Sequence, residues 1–308
     1  MTNGSGPVYG ERVEPGPDDV CYRHPGVRSF ALCQRCGRTI CGDCQVVSAV
    51  GVLCPECTKE MRAPAGQRAA RSTRVAGRRI AALDAPVTYG IMLLCAVVFV
   101  AQWLSATFGG NGVTAALWYA PLYSMPGAFE PWRLLTAMFT HSPTFFLHIL
   151  FNLYALWLFG RNLEQAIGRA AFAVLFLFAG VGGSLGVMMW AYVDPQALVA
   201  PTVGASGAIF GVLAATLVAM RAARANITSL AVLIAINFAI GLIPGAAISW
   251  QAHLGGLIVG AATMWLLLAT RGPRLRRRRV AGLVGLGALL VLISGAYFVV
   301  APAAQFVG

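Results

Sequence analysis

Gly204-Ala205-Ser206-Gly207 places a serine among small residues at the start of an apolar segment that runs to Met220. A second polar residue, His253, lies inside another apolar segment, within Ala252-His253-Leu254-Gly255-Gly256. Ionisable side chains are costly inside a membrane, so they mark functional sites by default. The sequence therefore predicts that His253 has a polar partner, and Ser206 is the partner we expect.

The composition of the chain is that of an integral membrane protein. Of its 308 residues, 58% are hydrophobic and 11% are charged, and several apolar runs are long enough to cross a bilayer. Basic residues exceed acidic ones, with 23 Lys+Arg against 11 Asp+Glu, and such an excess can indicate nucleic-acid binding. Here the basic residues cluster beside the apolar runs, where they act as orientation signals, so we expect no nucleic-acid partner.

Seven apolar segments predict seven membrane spans, at residues 86–104, 146–159, 170–192, 203–220, 227–242, 249–269 and 280–300. The chain opens on a polar stretch without the apolar core of a secretory signal, so we expect a cytoplasmic N-terminus. Threading the spans from there puts the arginine-rich loops in the cytoplasm, while the opposite loops carry only Arg133. The C-terminus then lies outside. Richness in Ala, Gly and Arg suggests a GC-rich genome, and we expect a multi-pass protein of a bacterial plasma membrane.

This topology brings Ser206 and His253 to a similar depth below the outer surface, on two helices that run in the same direction. Gly207-x3-Gly211 and Gly256-x3-Gly260 are small-x3-small patterns, which let two helix backbones approach closely. A hydrogen bond between a serine hydroxyl and an imidazole requires such an approach. Glycine patterns and single serines in spans are often plain packing features, so the combination is what indicates a catalytic pair.

A second polar pair, His148-x3-Asn152, lies near the outer end of the second predicted span, on one helix face. Hydrolysis of an amide needs donors aimed at the oxygen that becomes negatively charged. The imidazole N–H, the asparagine amide and the backbone N–H of Ser206 are candidate donors. The alternative is that His148 and Asn152 merely bridge helices.

No aspartate or glutamate follows Asp194, so no carboxylate lies on the spans that hold the predicted pair. The site is therefore expected to be a Ser/His dyad, unless Glu130 or Asp194 reaches it from a loop. Phe210 lies one turn after Ser206 on the same helix face and is placed to stack on the imidazole ring. A plain lipid or core contact is the alternative role for this phenylalanine.

Seven of the eight cysteines fall within residues 21–57 in pairs with two-residue spacers, and His24 completes the eighth ligand position. Eight nitrogen and sulfur ligands predict two closed, structural zinc sites, and no cofactor is expected for catalysis. The alternatives are disulfides, or one zinc ion with spare thiols. In a crossed arrangement the expected ligand sets are Cys21, His24, Cys41 and Cys44 for one ion, and Cys33, Cys36, Cys54 and Cys57 for the other.

In chain order, the apolar part contains the motifs Trp132-Arg133, His148-x3-Asn152, Gly160-x3-Glu164, Gly204-x-Ser206-Gly207 and Ala252-His253-x2-Gly256-x3-Gly260. Together these motifs resemble those of rhomboid intramembrane serine proteases, and the resemblance covers residues 86–270. The zinc-ligand stretch is similar to B-box zinc fingers.

The resemblance implies a role for each matching residue. Ser206 would be the nucleophile and His253 the general base, with His148 and Asn152 on the oxyanion side. Two further implications concern structure: a first loop lying partly in the outer leaflet would hold Trp132 and Arg133, and a polar contact near the inner end of the second span would be made by Glu164.

The expected fold is an all-α polytopic membrane protein, a six-helix rhomboid core with a seventh C-terminal transmembrane helix, preceded by a small cytoplasmic zinc-stabilised domain. The expected divisions are a disordered N-terminus (1–20), the zinc module (21–60), a basic linker (61–85), the protease core (86–270), a basic cytoplasmic loop (271–279), and the seventh helix with its tail (280–308). Expected partners are the lipid bilayer, single-span membrane-protein substrates and a cytoplasmic protein bound by the zinc module. The alternative functions are a catalytically inactive rhomboid-like binding protein and a zinc-finger membrane scaffold.

Overall fold

A computed structural model describes residues 16, 19–48, 51–62, 83–243 and 248–300. The chain divides into two compact units, with the division between Ala82 and Leu83. Most of the stretch expected to be a disordered N-terminus, and residues 63–82 of the expected linker, lie outside the described residues.

The N-terminal unit contains two antiparallel hairpins and one helix. Strands β1 (Val20–Cys21) and β2 (His24–Arg28) form the first hairpin, and β3 (Val46–Ser48) and β4 (Gly51–Leu53) form the second. Helix α1 (Pro55–Arg62) follows. Strand β1 begins at Val20, next to the expected boundary between residues 20 and 21.

The core of this unit is made largely of cysteine side chains, with Ile40 and Leu53 as its fully buried aliphatic residues in the described part. So few apolar side chains bury little area, and a unit of this size usually needs covalent or metal cross-links to fold. This composition supports the expected metal-stabilised module.

The second unit is helical, and every predicted apolar segment forms a helix or most of one. The helices are α2 (Pro86–Phe108), α3 (Gly112–Leu117), α4 (Arg133–Thr136), α5 (Phe146–Ala155), α6 (Arg161–Ile167), α7 (Arg169–Trp190), α8 (Ser206–Ala222), α9 (Thr228–Gly241), α10 (Trp250–Ala269) and α11 (Arg276–Val300).

Four of the helical stretches in the described part are long and apolar enough to cross a membrane: α2, α7, α10, and α11 with the turn before it. Helices α8 and α9 are apolar but shorter. The second predicted span is interrupted: a π-helical turn, Leu156–Gly160, joins α5 to α6. The helical run therefore continues to Ile167, beyond the predicted end at residue 159.

Glu164 places a carboxylate in a buried position of this helical run, and its hydrogen bonds show how the charge is accommodated. Its side chain is 1% exposed, and its two oxygens accept hydrogen bonds from the backbone N–H groups of Val87 and Thr88 and from the Thr88 hydroxyl. These donors lie in the first turn of α2, where N–H groups have no partner within the helix. Glu164 thus makes the expected polar structural contact. Next to it, Arg161 donates to Asp84 at 2.6 Å.

Helices α7, α8 and α10 form the centre of the bundle. A Cβ on Gly256 would clash with the carbonyl oxygen of Gly207, and one on Gly260 would clash with the backbone of Gly211. The two glycine patterns therefore meet face to face, and α8 and α10 touch through their backbones.

Arg133 organises the segment between α2 and α5. Its side chain is 6% exposed, pairs with Glu130 at 2.5 Å, and donates to the carbonyl oxygens of Ala115 and Trp118. Trp132 beside it is about half exposed. The buried guanidinium of Arg133 thus connects the first part of this segment, at Ala115 and Trp118, to its later part at Glu130.

Helix α11 packs against α7, α10 and the turn at Pro121–Ser124. Near its C-terminal end, the ring of Phe298 meets that of Phe129 at 4.9 Å between centroids, and Tyr192 donates to the carbonyl of Val300. At the other end, the Arg279 guanidinium donates to the carbonyl of Thr270 and so caps α10. Helix α11, which corresponds to the predicted seventh span, is therefore an integral part of this unit.

Candidate active site

Ser206 is the first residue of α8, and Gly204, two residues before it, contacts both Ala137 and His148. Gly204 has a φ of +122°, which L side chains rarely adopt. Its N–H donates to the carbonyl of Ala137 at 3.0 Å. A Cβ on Gly204 would lie 2.8 Å from Nε2 of His148, so only glycine fits beside that imidazole.

The hydroxyl of Ser206 lies 3.0 Å from Nε2 of His253. His253 is on the first turn of α10 and is 5% exposed. The ring of Phe210 stacks on the imidazole, with centroids 3.9 Å apart and an interplanar angle of 10°. The structure thus brings together the three residues that the sequence indicated, at the end of the closely packed helices α8 and α10.

No carboxylate in the described part of the chain orients His253. Its Nδ1 is buried and makes no hydrogen bond with any described residue. Glu130 is occupied by Arg133, and Asp194 accepts from the backbone N–H of Gln196. Among the described residues, the geometry is therefore that of a Ser/His pair without a third member.

His148 lies beside Gly204, two residues before Ser206. Its Nδ1 is 3.3 Å from the backbone N–H of Ser142, so Nδ1 accepts a hydrogen bond. In a neutral imidazole the proton is then on Nε2, the atom beside Gly204. Asn152 is buried and donates through Nδ2 to the carbonyl of His148 at 2.7 Å. An asparagine amide has two N–H donors, and this bond uses one of them.

His141 was missed by the reasoning from sequence. It is fully buried, its ring lies 5.2 Å from that of His148, and neither ring nitrogen bonds to a described residue. The only signal for it was its being one of four histidines in the chain, seven residues before His148.

The N-terminal unit holds two clusters of candidate metal ligands. Within each cluster all ligand atoms lie within 4.8 Å of one another. The grouping agrees with the crossed arrangement predicted from spacing, and all of these cysteines are free thiols, so the disulfide alternative is wrong for this structure. The clusters are Cys21, His24, Cys41 and Cys44, and Cys33, Cys36, Cys54 and Cys57.

The pKa values of the thiols fit a bound cation. Burial raises the pKa of Cys21 and of Cys33, but hydrogen bonds, mainly from backbone N–H groups, outweigh it and lower both values to about 6. Burial and the neighbouring thiols raise the pKa of Cys44 to about 11 and that of Cys57 to about 12. Without a cation, repulsion prevents all thiols of a cluster from ionising together. A divalent metal removes that repulsion, because thiolate is the form that coordinates metal.

These features define a class: a polytopic helical membrane protein with a serine–histidine pair inside the bundle and a separate Cys/His-rich unit that could hold metal ions. Comparison with known families agrees with this class. Residues 128–270, slightly under half of the chain, match the family model of the rhomboid domain. This part of the chain is therefore similar to rhomboid domains.

Curated relatives agree with this assignment. The chain is 34% identical over 146 residues to RHOMBOID-like protein 6, mitochondrial, of Arabidopsis thaliana, a match covering 45% of this chain and 44% of the relative. It is 36% identical over 136 residues to Rhomboid protease GluP of Bacillus subtilis, covering 42% and 25%. With Rhomboid protease AarA of Providencia stuartii it shares 26% over 195 residues, covering 56% and 68%. The chain spans less than half the length of the first two of these relatives.

Proposed function

We propose that this protein is an intramembrane serine protease that hydrolyses peptide bonds in or near the membrane spans of other proteins. The observation that carries the proposal is the 3.0 Å contact between the Ser206 hydroxyl and Nε2 of His253. The pair lies in a bundle of apolar helices, within a domain whose family includes relatives named as proteases.

In this mechanism the Ser206 Oγ attacks the scissile carbonyl carbon while Nε2 of His253 takes the hydroxyl proton. His253 then gives that proton to the leaving amine. A water molecule, deprotonated by the same nitrogen, attacks the acyl-serine and releases the second product. Phe210 keeps the imidazole plane fixed in the place of a third catalytic residue.

The developing oxyanion is stabilised by donors from two elements. The backbone N–H of Ser206 lies at the start of α8, where N–H groups are free of intrahelical bonds and the helix dipole favours negative charge. Nε2–H of His148 approaches from α5, and the second N–H of the Asn152 amide is the third candidate. Pre-oriented donors of this kind are typically the largest contribution to acyl-transfer catalysis.

The substrates we propose are single-span membrane proteins whose helix unwinds locally, because a hydrogen-bonded helix does not expose its carbonyls to attack. Water has to reach Ser206 from the outer side of the membrane, because hydrolysis consumes it.

The two Cys/His clusters are proposed to hold one Zn²⁺ each. Closed four-ligand shells of thiolate and imidazole are typical of structural zinc, which supplies folding energy and takes no part in hydrolysis here. We further propose a bacterial plasma membrane location, with the zinc module in the cytoplasm and binding a protein there. The domain boundaries given from the sequence are part of this proposal.

A fluorophosphonate serine probe tests the proposal directly. Detergent-solubilised protein is expected to be labelled, and Ser206→Ala to abolish both labelling and cleavage of a model transmembrane substrate. His253→Ala should abolish cleavage while the protein stays folded, since neither change touches the glycine contacts. Unlabelled wild-type protein that cleaves nothing would favour an inactive binding protein or scaffold.

A further inference from the structure

Gln102 is a fully buried amide in the C-terminal third of the apolar helix α2. Polar side chains inside a span are costly unless their hydrogen bonds are made. The amide of Gln102 makes three: Oε1 accepts from the backbone N–H of His141 at 2.9 Å, and Nε2 donates to the His141 carbonyl at 2.9 Å and to the Thr114 hydroxyl at 3.0 Å. The Gln102 side chain therefore binds both the N–H and the carbonyl of His141, and we call this pair of bonds the grip on His141.

The gripped carbonyl belongs to the peptide group that joins His141 to Ser142. That group is planar, so the direction of its C=O fixes the direction of its N–H. The N–H in question is that of Ser142, which donates to Nδ1 of His148 at 3.3 Å. A single rigid plane thus connects the Gln102 amide to the His148 ring.

The hydrogen bond at Nδ1 matters because the two neutral tautomers of His148 differ at the atom beside Ser206. With Nδ1 as acceptor, Nε2 carries the proton and can donate to an oxyanion. With the proton on Nδ1, Nε2 would present a lone pair to a developing negative charge and would repel it. Nε2 of His148 lies close to Gly204, where an added Cβ would be 2.8 Å from it.

We infer that Gln102 is a positioning residue that holds His148 in the Nε2-protonated tautomer through the His141–Ser142 peptide. This inference rests on the proposed protease function. The ring of His141 adds only its packing against His148 in this scheme, since neither of its nitrogens bonds to a described residue.

The kinetic test uses Gln102→Met, which has a similar length and no amide. This variant is expected to lower kcat for a model substrate by about 10- to 10³-fold, the upper limit being the loss of a whole oxyanion donor, with KM little changed. Thr114→Val is the matched control, because it removes the third hydrogen bond of Gln102 and leaves the grip on the peptide. It should leave kcat unchanged.

Two further measurements separate positioning from a general structural role. In the His148→Ala background, Gln102→Met should cause no further loss of kcat, since residues acting as one unit are not additive. The ¹⁵N chemical shifts of the His148 ring should show the Nε2-protonated tautomer in the native protein and a mixture in Gln102→Met. Independent, multiplying losses, or an unchanged tautomer in the folded variant, would overturn the inference.

The tautomer measurement needs no substrate, so it also distinguishes this inference from the proposed function. If Ser206→Ala cleaved like the native protein, the protease proposal would fail whatever the state of His148. If Ser206→Ala were inactive and Gln102→Met fully active with its ring tautomer intact, only the positioning role would be lost.

Discussion

In a catalytic triad a carboxylate orients the histidine, whereas here the ring of Phe210 packs against His253. The stacked Phe210 fixes the plane of the imidazole and leaves rotation within that plane to the hydrogen bond with Ser206. We predict that Phe210→Leu lowers kcat by roughly 2- to 10-fold, since an aromatic pair contributes about 0.5–1.5 kcal/mol beyond its buried area. Steady-state cleavage of a model substrate measures this effect, and Phe210→Tyr should stay near the native rate. Equal activity of the leucine variant would show that the ring only fills space.

The two members of the His148-x3-Asn152 pair are predicted to differ in importance. His148→Ala removes the donor beside Ser206 and should lower kcat by about 10²- to 10³-fold. Asn152→Ala loses the bond to the His148 carbonyl and one candidate donor, and a smaller decrease is expected. Turnover numbers for both variants, each checked for an unchanged melting temperature, test this order. A larger effect at Asn152 would make the asparagine the main oxyanion donor.

Residues that lie at a regular spacing from another site residue could be predicted from the sequence. Phe210 lies four residues after Ser206 and so on the same helix face, and the two-residue spacing of the cysteine pairs predicts the metal clusters. Gln102 could not be found in this way, because its partner is 39 residues away in a loop without local periodicity. Nothing in an apolar run distinguishes a glutamine that grips a distant peptide from one that faces a neighbouring helix.

At the scale of elements, the contact between α8 and α10 places Ser206 against His253. Gly256→Ala should destabilise the bundle by about 1–3 kcal/mol, because its Cβ would overlap the Gly207 carbonyl oxygen and force the helices apart. Gly285→Ala on α11 is the matched control, since its Cβ would meet no atom within 4 Å and alanine favours helix. Thermal unfolding in detergent compares the two, and equal midpoints would contradict a backbone-to-backbone contact.

The positions of the apolar segments were predicted to within a few residues, but their interruptions were not. The π-helical turn in the second span was not predicted. The polar contact of Glu164 was implied by the rhomboid resemblance, but its donors, in the first turn of α2, were not identified from the sequence. Such satisfaction of a polar residue by a distant backbone leaves no mark on hydropathy. Arg133 similarly links the short helices α3 and α4. It donates to two carbonyl oxygens at the C-terminal end of α3, and it pairs with Glu130 just before α4.

At the scale of the whole molecule, the metal clusters and the Ser/His pair belong to different compact units. Metal analysis of the full chain should give two zinc ions, and a chelator should remove them and unfold the N-terminal unit. Cleavage of a model substrate in detergent is expected to continue at a near-native rate, because closed shells leave no position for water or substrate. Cys33→Ser with Cys36→Ser should behave like the chelated protein. Chelator-sensitive cleavage restored by zinc would show that the clusters control catalysis.

The shortness of α8 affects the depth at which Ser206 lies. Its 17 residues span about 26 Å at 1.5 Å per residue, less than the roughly 30 Å of a bilayer's hydrocarbon core. Ser206 is at the end of that helix, so its distance from the bilayer surface depends on how far the bilayer thins around the whole bundle. In vesicles of lengthening acyl chains, cleavage of one substrate should slow and its cut site should shift along the span, whereas in detergent neither should change.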